Sequence, residues 1–411
     1  MAALDFNHKY FKLAQNNVLE IDSIPSNKLE VIVVIPAFKE PDIISALESL
    51  FPSSLTPEQY EIWVILNHPE DADTEIVKST DQSIRNIEAW KSSSPEKDKV
   101  VHVFKQILPR KFAGVGLARK IGMDAAALRF SKINKPLGIL MTYDADCSCT
   151  PDHVCKVLDY FKEHTPVSGA SIHYEHQYQS LTDPMTRQHM VDYELHLRAY
   201  IGWKKHIGLP YAYQTIGSSM AVRAAAYTRK GGMNKRKAGE DFYFLHKFTH
   251  DGTFGEINTT TVYPSCRVSD RVPFGTGRAM QEMKDQKREM LTYNPKSFLL
   301  IATMLDSLET VYHKRSGEDM EYDPALEQYL KSVNYFEKVE SCFQNSSSYE
   351  SFKKRFFQWF DAFHMMKYLH YMRDHHYPNV VPLASANELF NHQNTITVDT
   401  SEEALVIMRG F

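Results

Sequence analysis

The chain has 411 residues, 43% hydrophobic and 24% charged, which is enough apolar material for two cores or for one core with a large appendage. Its 47 basic side chains stand against 51 acidic ones, a formal charge of -4. That balance excludes a general nucleic-acid binder, which needs surplus cations to displace counterions.

Asp5, His8 and Lys9 interrupt the apolar stretch at the start, so no secretory signal is expected there. Residues 31–35 (Val-Ile-Val-Val-Ile) are β-branched without polar alternation and end at Pro36. That pattern predicts a strand covered on both faces, as in parallel sheets. Residues 42–50 have helical spacing, residues 60–66 read as a second strand, and Ile84, Ile87 and Trp90 mark a second helix. Strand 100–104, the Ala-rich helix 117–130 and strand 137–143 follow. Alternation of this kind predicts a mostly parallel sheet with helices on both faces and ligands at the carboxyl ends of the strands. Beyond about residue 285 the pattern is helical and aromatic, with polar breaks at 316–323 and 345–349. Phe352, Phe356, Trp359, Phe363 and Met366 repeat every 3.5 residues or so, which predicts one helix with a wide apolar face. Lys353, Lys354, Arg355 and Lys367 on the same stretch leave open a helix resting on an anionic membrane, although packing on the chain or on a second subunit is the ordinary use. The longest strongly apolar run, 298–304, is too short to cross a bilayer.

Five cysteines, an odd count, suit a reducing cytoplasm better than a disulfide framework. Cys147, Cys149, His153 and Cys155 have no familiar zinc spacing, and buried thiols are the simpler expectation. None of the 18 histidines has a clear ligand spacing; His173, His176, His246 and His250 are read as packing or surface residues, and His364, His370, His375 and His376 as structural.

The sharpest chemical signal is Asp144-Ala145-Asp146 after a hydrophobic strand. Residues i and i+2 of a strand share a side, so both carboxylates can face one hard cation such as Mg2+ or Mn2+. A helix cap at the following turn would explain one aspartate but not two. The second signal is Gly239-Glu240-Asp241 before the apolar run 242–245, where adjacent acids would also suit the positive end of a helix dipole.

With Pro36-Ala37-Phe38-Lys39-Glu40, the glycine-rich stretch 114–122, and the order Gly217, Gly231-Gly232, Glu240-Asp241, these motifs resemble the family 2 glycosyltransferases over residues 31 to 280. The resemblance implies an α/β GT-A fold in residues 1–285, with a nucleotide-binding half at about 30–146 and an acceptor half at about 147–285. Residues 286–411 form a helical extension outside it. A sugar would pass from a nucleotide diphosphate, UDP- or GDP-linked, to a hydroxyl of a carbohydrate or lipid-linked acceptor. A metal, Mn2+ or Mg2+, would sit at Asp144 and Asp146. Asp241 is the implied base, with Glu240 binding or orienting the acceptor. The donor would lie along Pro36, Ala37, Glu40, Arg119, Asp144 and Ala145. Arg267, Arg271 and Arg278 would complete its diphosphate site from a Gly- and Pro-containing loop, unless that loop is simply solvated. Arg119 and Lys120 are the weaker phosphate candidates, because cations on helices are usually exposed.

One departure matters. Many family members end the second strand in Asp-Asp-Gly-Ser, whereas this chain reads Leu66-Asn67-His68-Pro69-Glu70-Asp71-Ala72-Asp73. The contact to the base falls to Asp71 or Asp73, or to neither. A single base opposite the leaving group implies inversion. Two other readings stay open: a nucleotidyltransferase with a similar sheet, and a sugar-nucleotide-binding protein without turnover. A cytoplasmic protein is expected, with peripheral contact at the inner face of a membrane and a homodimer as further possibilities.

Overall fold

The computed structural model describes residues 5–14, 19, 21, 23–52, 54–236, 239–250, 252–267, 276–286, 289–316 and 320–410. Backbone contacts divide it into two compact units, residues 1–177 with 214–278, and residues 178–213 with 279–411.

The first unit holds an eight-stranded sheet: β1 (Val31–Ala37), β2 (Tyr60–Pro69), β3 (Val101–Leu108), β4 (Ile139–Thr142), β5 (Ser148–Cys149), β6 (Gly169–Tyr174), β7 (Met220–Arg223) and β8 (Phe254–Tyr263), in the order β3-β2-β1-β4-β7-β6-β8-β5. The predicted strands are all present. β1 runs parallel to β2 on one side and to β4 on the other, which makes it central. Residues 31–35 are completely buried, and each such aliphatic side chain contributes roughly 1.5–3 kcal/mol. The sheet is mostly parallel, with β7 antiparallel to both β4 and β6. Because β1 and β4 are parallel neighbours, their carboxyl ends bring residues 37–40 and 143–146 to one edge.

The helices of this unit are α1 (His8–Ala14), α2 (Ile43–Ser49), α3 (Thr74–Lys91), α4 (Pro95–Val100), α5 (Val115–Lys132), α6 (His153–Glu163), α8 (Ala224–Arg229) and α9 (Glu240–Thr249). In α5 the buried positions, from Gly116 to Phe130, circle the helix. Its polar residues therefore point inward and need partners there. Asp124 accepts hydrogen bonds from Tyr10 Oη (2.6 Å) on α1, Tyr227 Oη (2.5 Å) on α8 and Lys120 Nζ (2.8 Å). Lys120, a phosphate candidate by sequence, is occupied in this knot. Arg129 makes a bidentate pair with Glu61 of β2.

The second unit is helical: α7 (Pro184–His206), then, after α10 (Thr276–Gln286), the helices α11 (Pro295–Lys314), α12 (Pro324–Ser332), α13 (Tyr335–Gln344), α14 (Tyr349–Trp359), α15 (Ala362–His375), α16 (Pro382–His392) and α17 (Ser401–Arg409). The long helix α7 lies ahead of the expected division at residue 285, yet it packs with α16 and α17. Residues 352–366, predicted as one helix, are two. Asp361 accepts from the Phe363 and His364 amides, capping α15 and breaking the run after Trp359. The aromatic face turns inward, with Phe352 stacked 4.7 Å from Phe343, while Lys353, Lys354 and Arg355 are exposed. Among the described residues, no helix is long and apolar enough to cross a membrane.

Candidate active site

The carboxyl ends of β1 and β4 and the start of α9 hold the predicted acids, and Arg119 of α5 joins them. Arg119 is 2% exposed. Its Nη2 donates to Asp144 Oδ1 at 2.6 Å, and its Nη1 donates to Glu240 Oε1. The two acidic clusters, far apart in sequence, thus share one guanidinium. The general expectation that helical cations lie at the surface fails for Arg119, because α5 has no solvent face where it begins.

Local sequence explains the closeness. Gly116 allows the 236 carbonyl and Glu240 to press on α5: a Cβ there would lie 2.0 Å from Arg236 O and 3.0 Å from Glu240 Cγ. Gly239 precedes α9 with φ of 69°, a left-handed turn that suits glycine. Glu240 and Asp241 then open the first turn of α9, where the dipole also favours acids. Asp241 Oδ1 accepts the Phe242 amide at 2.8 Å.

Charge is unbalanced around Arg119. Burial lowers its affinity for a proton, but Asp144, Glu240 and Asp241 outweigh that and hold its pKa above the ordinary value. Burial in turn pushes the Glu240 carboxyl up to about 7, against the pull of Arg119 and with help from the Asp241 charge. Asp241 is also raised, first by burial. One guanidinium cannot neutralise three crowded carboxylates, so Glu240 and Asp241 hold a proton at higher pH than free acids would.

A second pair closes the other side. Arg267 donates to both oxygens of Glu40 (3.0 and 2.6 Å) and reaches Asp146 Oδ2 at 3.3 Å. Arg267, Glu40 and Asp146 therefore converge. Pro36 and Ala37 form the end of β1, and Ala37 O accepts Nδ2 of buried Asn67 at 2.9 Å. Ala145 is buried between the two aspartates. Asp73 is exposed and caps α3 by accepting the Ile76 amide at 2.8 Å, while Asp71 pairs with Arg110 at 3.1 Å. Arg278 is half-buried near the start of α10, and Arg271 lies outside the described residues.

The donor chemistry of Asp144 and Asp146 fits a hard divalent ion. Their side chains are 36% and 35% exposed, open enough for phosphate oxygens and water to complete a coordination shell. Among the described residues no set of three or more His, Cys, Asp and Glu side chains forms a closed protein cage. The cysteine cluster has separate partners instead: His153 Nδ1 meets Thr260 Oγ1 at 2.9 Å, Cys155 meets Ser54, and Cys149 meets Ser49.

Residues 32–217 match the family model "Glycosyl transferase family 2". That stretch, a little under half of the chain, is similar to the family 2 glycosyltransferases. A search of curated protein sequences finds no match. Among solved structures, the chain is similar to S. aureus TarS, with 12% identity and a TM-score of 0.39 over 92% of this chain and 50% of that one. It thus spans half the length of that protein. A shorter TarS, solved with UDP-GlcNAc, gives 12% identity and a TM-score of 0.41, covering 93% and 91% of the two chains. The mannosyltransferase PcManGT from Pyrobaculum calidifontis, solved with GDP-Man and Mn2+, gives 12% and 0.39, covering 98% and 92%. The first unit has the expected architecture of a mostly parallel sheet flanked by helices, with a helical C-terminal region outside the match.

Proposed function

We propose that the domain transfers a sugar from a nucleotide diphosphate to an acceptor hydroxyl by direct displacement with inversion. The observation that carries this reading is Arg119, which spans Asp144 and Glu240 and so sets a cation-binding acid pair beside a base-bearing helix.

In this mechanism the donor diphosphate lies at the ends of β1 and β4. A divalent ion held by Asp144 and Asp146 would supply Lewis-acid neutralisation of the departing diphosphate. Arg267 turns from Glu40 and Asp146 toward phosphate oxygens, which suit its planar fork. Asp241 takes the proton of the attacking hydroxyl. The acceptor oxygen bonds to the anomeric carbon while the bond from that carbon to phosphate oxygen breaks. Glu240, fixed by Arg119, orients the acceptor and sets the basicity of Asp241. One base and one leaving group on opposite faces require no glycosyl-enzyme intermediate.

The test is a thermal-shift and turnover screen of UDP-, GDP- and dTDP-sugars with and without Mn2+ or Mg2+. Metal-dependent stabilisation by one donor, with transfer or hydrolysis, supports the proposal. Pyrophosphate release from a nucleoside triphosphate would instead support nucleotidyl transfer, and tight donor binding without turnover a binding protein.

A further inference from the structure

Among the described residues, three cations near the proposed base have no acid paired with them. Lys111, Lys235 and Arg236 are exposed, and none has an ion-pair partner among the described residues. Neighbouring cations are treated differently: Arg110 pairs with Asp71 at 3.1 Å and Lys120 with Asp124 at 2.8 Å. Two separate loops bring the three together, residues 109–114 ahead of α5 and residues 230–236 ahead of α9.

Phe112 is the common floor of the two lysines. The Lys111 ammonium lies 5.3 Å from its ring centre and the Lys235 ammonium 6.0 Å. Arg236 lies 3.6 Å over the ring of Tyr243, two residues beyond Asp241. Its carbonyl and the Glu240 side chain meet the same Gly116. The patch therefore borders the Glu240–Asp241 side of the site. In a chain of net charge -4, three unanswered cations held on two aromatic rings repel one another, and an anion relieves that repulsion.

We infer that Lys111, Lys235 and Arg236 bind a phosphate ester carried by the acceptor. In the proposed mechanism the donor diphosphate belongs at Asp144 and Arg267, so this second anion site falls to the other substrate; the inference rests on that reading. Two lysines give adaptable point charges, and the Arg236 fork gives directed hydrogen bonds to phosphate oxygens.

The experiment uses the full chain, saturated with the nucleotide diphosphate and Mn2+ so that the donor site is filled. Glycerol 3-phosphate is titrated by calorimetry, and phosphatidylcholine vesicles with and without phosphatidylglycerol are co-sedimented. The Lys111→Glu/Lys235→Glu variant is compared throughout, and Arg236→Ala serves as a second variant. Binding of either probe, weakened about tenfold or more in both variants while nucleotide affinity holds within about twofold, is the expected result. Binding of glycerol 3-phosphate identifies a soluble ester, and binding only of phosphatidylglycerol vesicles identifies a lipid headgroup. If neither probe binds, or if the variants bind as well as the native chain, the inference is overturned. Sugar-nucleotide turnover measured alongside separates the two ideas: variant-sensitive phosphate binding without any turnover sinks the catalytic reading and leaves the anion site standing.

Discussion

Each compact unit buries an arginine–carboxylate cluster, and the two are built with opposite stoichiometry. In the sheet unit one guanidinium, Arg119, serves Asp144, Glu240 and Asp241, and part of the cluster is open to solvent. In the helical unit one carboxylate, Glu194, is fully buried and serves two guanidiniums. It accepts from Arg198 at 2.8 Å within α7 and from Arg409 of α17 at 2.9 Å through both oxygens. Tyr178 lies 5.2 Å from Arg409 and closes the cluster. An excess of acid leaves a proton in play, which chemistry can use. A sealed acid shared by two cations fastens one helix to another.

Substitutions can break this contrast. The largest expected effect is Asp241→Asn, which lowers kcat by about 10²–10⁴-fold with donor affinity nearly unchanged, as steady-state kinetics and calorimetry would show. Activity within a few-fold of native would move the base elsewhere. Next, Asp146→Ala should abolish metal-dependent donor binding, read as the loss of Mn2+-dependent heat in calorimetry, because one carboxylate holds the ion poorly against water. In the other unit, Glu194→Gln removes the charge shared by Arg198 and Arg409 and should cost about 3–5 kcal/mol in denaturant unfolding, while kcat/KM per folded molecule stays native. A comparable loss of turnover would erase the distinction between the clusters.

A finer test uses pH. The Glu240 carboxyl, raised to about 7 from an ordinary 4.5, binds its proton more tightly folded than unfolded. Its contribution to stability is therefore complete below 4.5 and lost as pH climbs through 7. Turnover should rise over the same upper limb, as the Glu240–Asp241 pair sheds its proton. Glu240→Gln should flatten that stability loss and move the kinetic rise to lower pH; an unmoved profile would detach Glu240 from the base. The smallest effect belongs to Asp73→Ala, which removes the α3 cap for about 1 kcal/mol. A change in nucleotide preference there would give Asp73 a second role.

The sheet was legible because its signals are local. Residues 31–35 and 137–143 declare buried strands by composition, but β4 ends at Thr142 and Asp144 and Asp146 follow it in a turn, so the strand alternation expected for them does not apply. The Gly239-Glu240-Asp241 turn was readable as a helix start, and its meeting with Asp144 came from the order of motifs rather than from any spacing. Arg119 was under-read because an arginine between Ala118 and Lys120 looks like a surface residue. The available signal was a helix rich in Gly and Ala around it, too small-sided to have a polar face. The break at Asp361 was hidden by aromatic spacing that carries straight across it. The company kept by α7 was hidden because residues 178–213 join partners a hundred residues away, which no window of sequence reports.

The knot around Asp124 has a practical consequence for anyone trimming this protein. The opening helix looks dispensable, yet its Tyr10 hydroxyl shares an acid with Lys120, the neighbour of Arg119. A version starting at residue 20 would strip one of three donors from that carboxylate and loosen the segment on which Arg119 is mounted. Poor turnover in such a shortened protein would reflect a missing brace and say nothing about the chemistry.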